Sequence, residues 1–234
     1  MLKRNRKVTA RLAGPTSDAS EKALELQELS GRQYARHLHD GPIQSVAALA
    51  MRANLAKRQM KKDPEAASKE LSQLEQLARY TTKELRYLQF ILRPLSLETA
   101  GLEAALQDLA NQERDVFNQE LGAEINPNAA FDLQLRDAEL FFQIAAEAIA
   151  NARMHSRAKK ISLRLARPEI NILLLEVVDD GIGIDWTALE SKPREERGLG
   201  IDLMRLRAGL LAGEFAIDTQ KEHGTTVRVA APVK

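Results

Sequence analysis

Apolar residues recur at alternating steps of four and three along the second quarter of the chain. Together with one threonine they form a single seam from Glu65 onward: Ala67, Leu71, Leu74, Ala78, Thr81, Leu85, Leu88 and Leu92. A four-three repeat keeps one face of a helix against a partner helix. The spacing therefore predicts a bundle helix that ends before Pro94.

The segment before this helix follows the same repeat with one exception. Its positions are Ala35, Leu38, Pro42, Val46, Leu49, Ala53, Ala56 and Met60. Two consecutive steps of four surround Pro42, and this doubled step shifts the phase of the seam locally. Between the two patterns, Asp63 is suited to cap a helix and Pro64 to begin it. The short turn predicts an antiparallel helical hairpin over residues 20–92.

A lone helical hairpin leaves part of each apolar stripe in contact with water. A second copy of the chain would cover both stripes by completing a four-helix bundle. We therefore expect a homodimer that assembles through this bundle.

The second half of the chain mixes helix and strand patterns. Helices are predicted over 102–118, 135–154 and 201–212, and strands over 123–126, 159–166, 170–179, 215–219 and 225–231. This order is consistent with a sheet covered by helices on one face. The expected organisation is a basic N-terminal segment (1–19), a helical domain (20–94) and an α/β domain (95–234).

Composition limits the partners that the protein could bind. Basic and acidic residues nearly cancel, 34 against 33, so no direct binding to nucleic acid is expected. The chain has no cysteine, which excludes disulfides and thiolate metal sites and agrees with a cytoplasmic location. No apolar run approaches the roughly 18–20 residues of a membrane span. The basic stretch 3–11 is either a solvated terminus or a juxtamembrane segment, so membrane contact is expected only through an upstream region.

Three polar residues of the predicted helix 135–154 lie four positions apart. Glu147, Asn151 and His155 would project from one face of the helix. Asn151 offers a neutral oxygen to Mg²⁺, and His155 offers a donor to phosphate. Taken alone, such a row is also typical of a solvated helix face.

Glycines adjoin two other predicted elements. Asp180, Gly181 and Gly183 come at the end of the apolar strand 170–179, where glycine lets a flat ligand approach the backbone. Gly198 and Gly200 precede the helix 201–212, whose free N–H groups can hold phosphate. The chain contains no G-x-x-x-x-G-K-[ST] motif, and DDGIGID does not complete G-x-G-x-x-G. Two common nucleotide-binding motifs are therefore excluded.

The order of these motifs resembles a known domain. E-x-x-x-N-x-x-x-H, DDGIG, GLGI-x-x-M-x-x-R and GTTVRVAAP are similar to the ATP-binding domain shared by sensor histidine kinases, gyrase-type ATPases, Hsp90 and MutL. The preceding RQYARHLHDGPIQ and helical hairpin resemble those of the NarL/DesK-like sensor histidine kinases. The resemblance covers about residues 20–232. It implies a dimeric four-helix bundle followed by an α/β two-layer sandwich, the Bergerat-type ATP-binding fold.

The resemblance assigns catalytic roles in the helical hairpin. His39 would accept a phosphoryl group from ATP, with Asp40 as its orienting base. Gln44 matches the H-D-x-x-x-Q pattern that is linked in such families to removal of phosphate from the partner. That partner would be the receiver domain of a response regulator, with a helix-turn-helix output domain.

The resemblance also assigns the nucleotide site. Asn151 would bind Mg²⁺, with the catalytic Glu147 and with His155 beside it. Asp180 would bond the adenine amino group. Five further residues would shape the pocket and its lid: Gly181, Gly183, Gly198, Gly200 and Thr225.

The two histidines of ARHLHDGP invite a different interpretation, as a metal site. Residues two apart on a helix point about 200° from one another, so His37 and His39 cannot chelate one ion. A neutral imidazole is instead a nucleophile near neutral pH, and an adjacent carboxylate can set its tautomer. Because His39 and Asp40 do not share a helix face, their contact depends either on local rotamers or on a distorted turn, which Pro42 could supply.

Two alternative functions are kept beside histidine autophosphorylation. One is a gyrase- or Hsp90-like ATPase, in which Glu147 would activate water. The other is a dimeric scaffold that senses nucleotide without catalysis. The ATPase alternative gives no reason for the paired bundle or for His39 and Asp40.

Overall fold

The computed structural model describes residues 17–191, 199–220 and 222–233. Most of the predicted basic segment 1–19 and the predicted site residue Gly198 lie outside these ranges. The chain divides into two compact units. One unit is Gly31–Arg93, and the other contains the residues up to Ser30 together with 94–234.

The first unit contains most of the predicted helical hairpin, from Gly31 within the first helix onward. Helix α1 (Ser17–Leu38) leads into a π-helical turn (His39–Ile43), which continues as α2 (Gln44–Gln59). Helix α3 (Pro64–Leu92) packs against α2. As predicted, Pro64 begins α3, and the Asp63 side chain caps it by accepting the Ala66 N–H at 2.9 Å.

The π-helical turn explains the doubled step of four in the apolar pattern. A π-helix pairs each carbonyl with the N–H five residues on, so it holds one more residue per turn than an α-helix. Pro42 lies within this turn and has no N–H to offer the Leu38 carbonyl, four residues earlier. Accommodating one extra residue keeps the apolar seam continuous on both sides of Pro42, which is buried.

The second unit has the predicted α/β organisation. Its elements are α4 (Leu95–Phe117), β1 (Glu120–Ile125), α5 (Leu135–Asn151), a second π-helical turn (Ala152–Ser156), β2 (Lys160–Glu169), β3 (Ile172–Asp179), α6 (Trp186–Ser191), α7 (Gly200–Leu210), β4 (Glu214–Thr219) and β5 (Thr225–Pro232). Three features were not predicted: the short helix α6, the second π-helical turn and the start of α4 at Leu95. Gly101 lies inside α4 with a φ of 85°, which kinks the helix just before the predicted start at 102.

The five strands form one sheet in the order β1-β2-β3-β5-β4. Strand β1 is parallel to β2, and the remaining neighbours are antiparallel. Helices α4, α5 and α7 pack together, and α5 also contacts β3. Between helices and sheet lies an apolar core whose fully buried side chains include Leu106, Phe141, Phe142, Ile144, Ile149, Ile161, Leu163, Leu165 and Leu173.

The opposite face of the sheet is polar. Residues paired across neighbouring strands alternate in charge, from Glu124 through Arg164 and Glu176 to Arg228. Glu176 accepts hydrogen bonds from Arg164 at 3.2 Å and from Arg228 at 2.8 Å. One apolar face and one charged face confirm the predicted two-layer sandwich. None of the described helices is long and apolar enough to cross a membrane.

Candidate functional site

His39 and Asp40 are in contact in the helical unit. The His39 Nδ1 atom lies 2.9 Å from the Asp40 Oδ1 atom. Both side chains are open to solvent, with 69% and 62% of their surface exposed. They are the first two residues of the π-helical turn. The predicted distorted turn therefore includes His39 and Asp40, which would point to different faces of a regular α-helix.

This hydrogen bond determines which imidazole nitrogen is free. An ionised carboxylate only accepts hydrogen bonds. With Asp40 ionised, the Nδ1–H group of His39 is therefore the donor and the Asp40 oxygen the acceptor. In the neutral ring, Nε2 then carries the lone pair. Because His39 is largely exposed, a nucleophilic nitrogen faces the solvent, where a second reactant can reach it.

The inner side of the same turn packs on α3. A Cβ added to Gly41 would lie 3.0 Å from Oε1 of Glu84, so the carboxylate covers this glycine closely. Gln44 is exposed and is the first residue of α2, directly after the turn. His37 is only partly exposed. Of the two histidines, His39 is the more accessible.

Glu147 and Asn151 meet the start of α7 in the α/β unit. The Asn151 amide nitrogen donates to Glu147 Oε1 at 3.3 Å. A Cβ added to Gly200 would lie 2.0 Å from that oxygen and 3.0 Å from the Asn151 amide nitrogen. A larger residue at this first position of α7 would have to displace the Glu147 carboxylate, which ends a flexible side chain. The sequence prediction that these three residues share a site agrees with this geometry.

His155 does not continue the predicted row. Helix α5 ends at Asn151, and His155 belongs to the second π-helical turn. The wider turn places the residue four positions after Asn151 away from the face that an α-helix would give it. His155 is exposed. Of the three residues, only Glu147 and Asn151 therefore lie on an α-helix, and the phosphate contact of His155 stays a prediction.

Asp180 is also placed differently from its prediction. Alternate residues of a strand point to opposite faces of a sheet. Asp179 pairs with Ile161 and Thr225 and is 6% exposed, whereas Asp180 is exposed. Since Ile161 belongs to the apolar core, Asp179 points toward the helix layer and Asp180 away from it. The assignment of the adenine contact to Asp180 does not fit this geometry.

Asp180 is engaged by the backbone of β2 instead. Its Oδ1 atom accepts the N–H groups of Lys159 at 2.8 Å and Lys160 at 3.0 Å. These bonds, that of Lys160 foremost, hold the pKa of Asp180 below its ordinary value. The carboxylate stays ionised and tied to the start of β2.

The glycines of this turn are required by close packing of the chain on itself. A Cβ on Gly181 would lie 2.3 Å from the Ser156 carbonyl oxygen, and one on Gly183 would lie 2.5 Å from that of Gln220. Gly224 has a φ of 82°, and a Cβ there would lie 1.8 Å from the Asp179 carbonyl oxygen. The sequence predicted that Gly181 and Gly183 let a ligand approach the backbone. In the structure, nearby backbone atoms of the protein itself already require glycine at both positions.

Three residues in or near this site were not predicted from the sequence. Asp179 could have been found from the alternation of β3. Ser156 holds the end of the second π-helical turn, where its Oγ donates to the Ala152 carbonyl at 2.7 Å. Arg153 bonds the fully buried Glu113 of α4 at 3.0 Å. A long-range pair of this kind has no signal in the sequence, because its members lie 40 positions apart.

Family profiles match both units. A profile described as "Histidine kinase" matches residues 32–97, which include His39, Asp40 and Gln44. A profile described as "Histidine kinase-, DNA gyrase B-, and HSP90-like ATPase" matches residues 136–234. The chain belongs to the histidine kinases. The resemblance seen in the sequence is thereby confirmed, and residues 136–234 of the second unit match the ATPase domain of this family.

Full-length relatives of the kinase are sensor kinases. It is 35% identical over 229 residues to an uncharacterized sensor-like histidine kinase of Chloroflexus aurantiacus, covering 96% of this chain and 38% of the relative. It is 29% identical over 216 residues to the oxygen sensor histidine kinase NreB of Staphylococcus carnosus, covering 91% and 59%. The kinase thus spans little more than half, or less, of these relatives.

A solved structure shows the same fold. The blue-light activated histidine kinase of Erythrobacter litoralis EL346 superposes with a TM-score of 0.51 at 20% identity. The match covers 94% of this chain and 62% of that chain. At this identity the likeness concerns the fold alone.

Proposed function

We propose that this chain is the catalytic core of a two-component sensor kinase that phosphorylates His39 with ATP and passes the phosphoryl group to an aspartate of a response regulator. The observation that carries the proposal is the 2.9 Å contact between His39 Nδ1 and Asp40. It leaves an exposed nucleophilic nitrogen in a chain that also has an ATP-binding domain.

The reaction needs one bond formed and one broken. His39 Nε2 forms a bond to the γ-phosphorus of ATP, and the bond from that phosphorus to the β,γ-bridging oxygen breaks, with ADP as the leaving group. The ring becomes positively charged as the N–P bond forms. Asp40 keeps the Nδ1 proton in a hydrogen bond and stabilises this charge. In the second transfer, the N–P bond is exchanged for a bond to the carboxylate of the regulator.

We assign the adenine contact to Asp179. It is a buried carboxylate at the end of β3, and Thr225 lies opposite it in the sheet with 8% of its surface exposed. A buried acceptor at a strand end, surrounded by glycines, fits a planar ligand with an amino group. One Asp179 oxygen accepts the Gly181 N–H at 2.9 Å, which orients the carboxylate.

We propose that Asn151 and Glu147 serve Mg²⁺ and the phosphates of ATP. Mg²⁺ commonly takes one or two side-chain oxygens together with water and substrate phosphates. The Asn151 amide oxygen suits this coordination, and the free N–H groups at the start of α7 suit phosphate. The ion would neutralise charge that develops on the phosphates.

We propose that the helical unit assembles with a second copy. Many large apolar side chains on this hairpin are exposed within a single chain, including Ile43, Val46, Met51, Leu55, Met60, Leu71, Leu85 and Leu92. Three of them belong to the predicted seam of α3. Such a density of exposed apolar residues is typical of a bundle interface.

The test of the function is radiolabelled phosphate from ATP in the protein itself. His39→Gln should abolish acid-labile labelling and leave ATP binding intact, because the ATP-binding domain lies in the other unit. His37→Gln is the matched control and should keep most of the activity. ATP hydrolysis with no label on wild-type protein would favour the gyrase-like ATPase, and binding with neither reaction would favour the nucleotide-sensing scaffold.

A further inference from the structure

Ser156 and Asp180 tie two parts of the ATP-binding domain together at adjacent points. The second π-helical turn follows Asn151 and ends at Ser156. The turn 179–183 follows β3 and carries Asp179. The segment 157–160 runs between these two turns and leads into β2. Both side chains bond this segment.

Ser156 contributes three hydrogen bonds to this junction. Its carbonyl accepts the Ile182 N–H at 2.8 Å, which joins the π-helical turn directly to the turn after β3. Its Oγ donates to the Ala152 carbonyl at 2.7 Å and accepts the Ala158 N–H at 3.1 Å. The side chain is 7% exposed. It thereby fixes the course of the chain on both sides of itself.

Asp180 bonds the same segment, 157–160, from the turn after β3. One carboxylate oxygen accepts the N–H groups of Lys159 and Lys160, and the Asp180 N–H donates to the Lys160 carbonyl at 3.3 Å. Gly181, the next residue, is packed against Ser156 so closely that no side chain fits. The two anchors are therefore held by one continuous set of bonds.

We propose that Ser156 and Asp180 are positioning residues that clamp the turn bearing Asp179 to the end of the helix bearing Asn151. The inference rests on the proposed function, since it concerns the adenine and Mg²⁺ ends of the same nucleotide site. Asp180 touches no nucleotide in this scheme. It acts by holding the backbone from which Asp179 projects, and so it supports adenine binding indirectly.

A positioning role and a direct adenine contact predict different effects when the base of the nucleotide is changed. Inosine triphosphate lacks the 6-amino group of ATP. If a variant loses the side chain that accepts a hydrogen bond from the amino group, the affinity for ATP falls and that for inosine triphosphate does not. The ratio of the ATP affinity to the inosine triphosphate affinity therefore decreases. Loss of a clamp disorders the whole turn and lowers both affinities together, so the ratio stays near its wild-type value.

The experiment compares Asp179→Asn, Asp180→Ala, Asp180→Asn and Ser156→Ala in the full chain by calorimetry with both nucleotides. Asp180→Ala and Ser156→Ala should weaken both nucleotides by about tenfold with the ratio unchanged. Asp180→Asn keeps an acceptor oxygen and should restore most of the affinity. Asp179→Asn should reduce the ratio. A reduced ratio in Asp180→Ala, or wild-type affinity in both Asp180→Ala and Ser156→Ala, overturns the clamp.

A second measurement separates the clamp from the proposed function. Amide hydrogen exchange at Lys159 and Lys160 needs no nucleotide. Asp180→Ala should increase their exchange rates, and Asp180→Asn should keep them near wild type. If wild-type protein bound neither nucleotide, the proposed function would fail while the exchange rates still tested the clamp. Unchanged exchange in Asp180→Ala would overturn the clamp even if ATP bound normally.

Discussion

Gly224 offers the sharpest test of how the adenine end of the site is built. It lies in the hairpin between β4 and β5, directly over the carbonyl of Asp179. A Cβ at this position would lie 1.8 Å from the carbonyl oxygen, and ordinary contact begins at 3.4 Å. The hairpin or the end of β3 must therefore move by about 1.6 Å, the difference of these distances, to accept alanine.

The cost of Gly224→Ala has two parts. A non-glycine residue at a φ of 82° adds strain of about 1–3 kcal/mol. The clash adds a further cost, because the neighbouring Asp179 carbonyl is rigid backbone. We expect a total loss of at least about 3 kcal/mol, which lowers Tm by about 6–12 °C in a domain of this size. The displaced carbonyl belongs to Asp179, so ATP affinity should fall at least about tenfold.

Two other glycines provide matched controls. Gly101 has a φ of 85°, but its added Cβ would meet only Glu103 at 3.6 Å, so Gly101→Ala introduces strain without a clash. Gly122→Ala introduces neither, since nothing lies within 4 Å of its Cβ. With a strain of about 2 kcal/mol, the middle of the range above, we expect Gly101→Ala to lower Tm by about 4–8 °C and to bind ATP normally. Gly122→Ala should match wild type in both measurements.

The only tryptophan of the chain makes the affinity measurement direct. Trp186 begins α6, shortly after the turn 179–183. Its fluorescence can be titrated with ATP and Mg²⁺ in each variant, with thermal unfolding followed in parallel by circular dichroism. Normal ATP affinity in Gly224→Ala would refute the close seating of this hairpin on Asp179. An equal loss of affinity in Gly101→Ala would show that lowered stability alone explains the effect.

Two further predictions concern other parts of the chain. Gln44→Ala should leave His39 labelling unchanged and slow the kinase-stimulated dephosphorylation of a regulator, because an amide can position water for in-line attack; equal phosphate decay with wild type and variant would reject this role. The hydrogen bonds from Arg167 hold the pKa of Asp132 below its ordinary value of 3.8, so their stabilisation is present above that value and is lost as pH falls through the lowered one. Asp132→Asn should accordingly be less stable than wild type in urea unfolding at neutral pH, and the difference should shrink as pH falls from 3.8 through the lowered pKa of Asp132; a constant difference would contradict the linkage.

Local patterns in the sequence determined most of the fold. The four-three repeat predicted the hairpin, Asp63 and Pro64 predicted the start of α3, and the doubled step around Pro42 predicted a distorted turn beside His39. These features depend on residues that are close in sequence, since helix periodicity, capping and the missing N–H of proline all act within a few residues. The same holds for the contact between His39 and Asp40.

Tertiary structure decided how the nucleotide site is assembled. The sequence presents two adjacent aspartates at the end of β3, and the pairing of Asp179 with Ile161 and Thr225 shows directly that Asp179 faces the helix layer. The second π-helical turn, which contains His155, has no proline from which it could have been predicted. Gly181 and Gly224 are required by backbone atoms of Ser156 and Asp179, which are distant in sequence. Such contacts depend on how the elements pack in three dimensions, and the periodicity of a single segment carries no information about them.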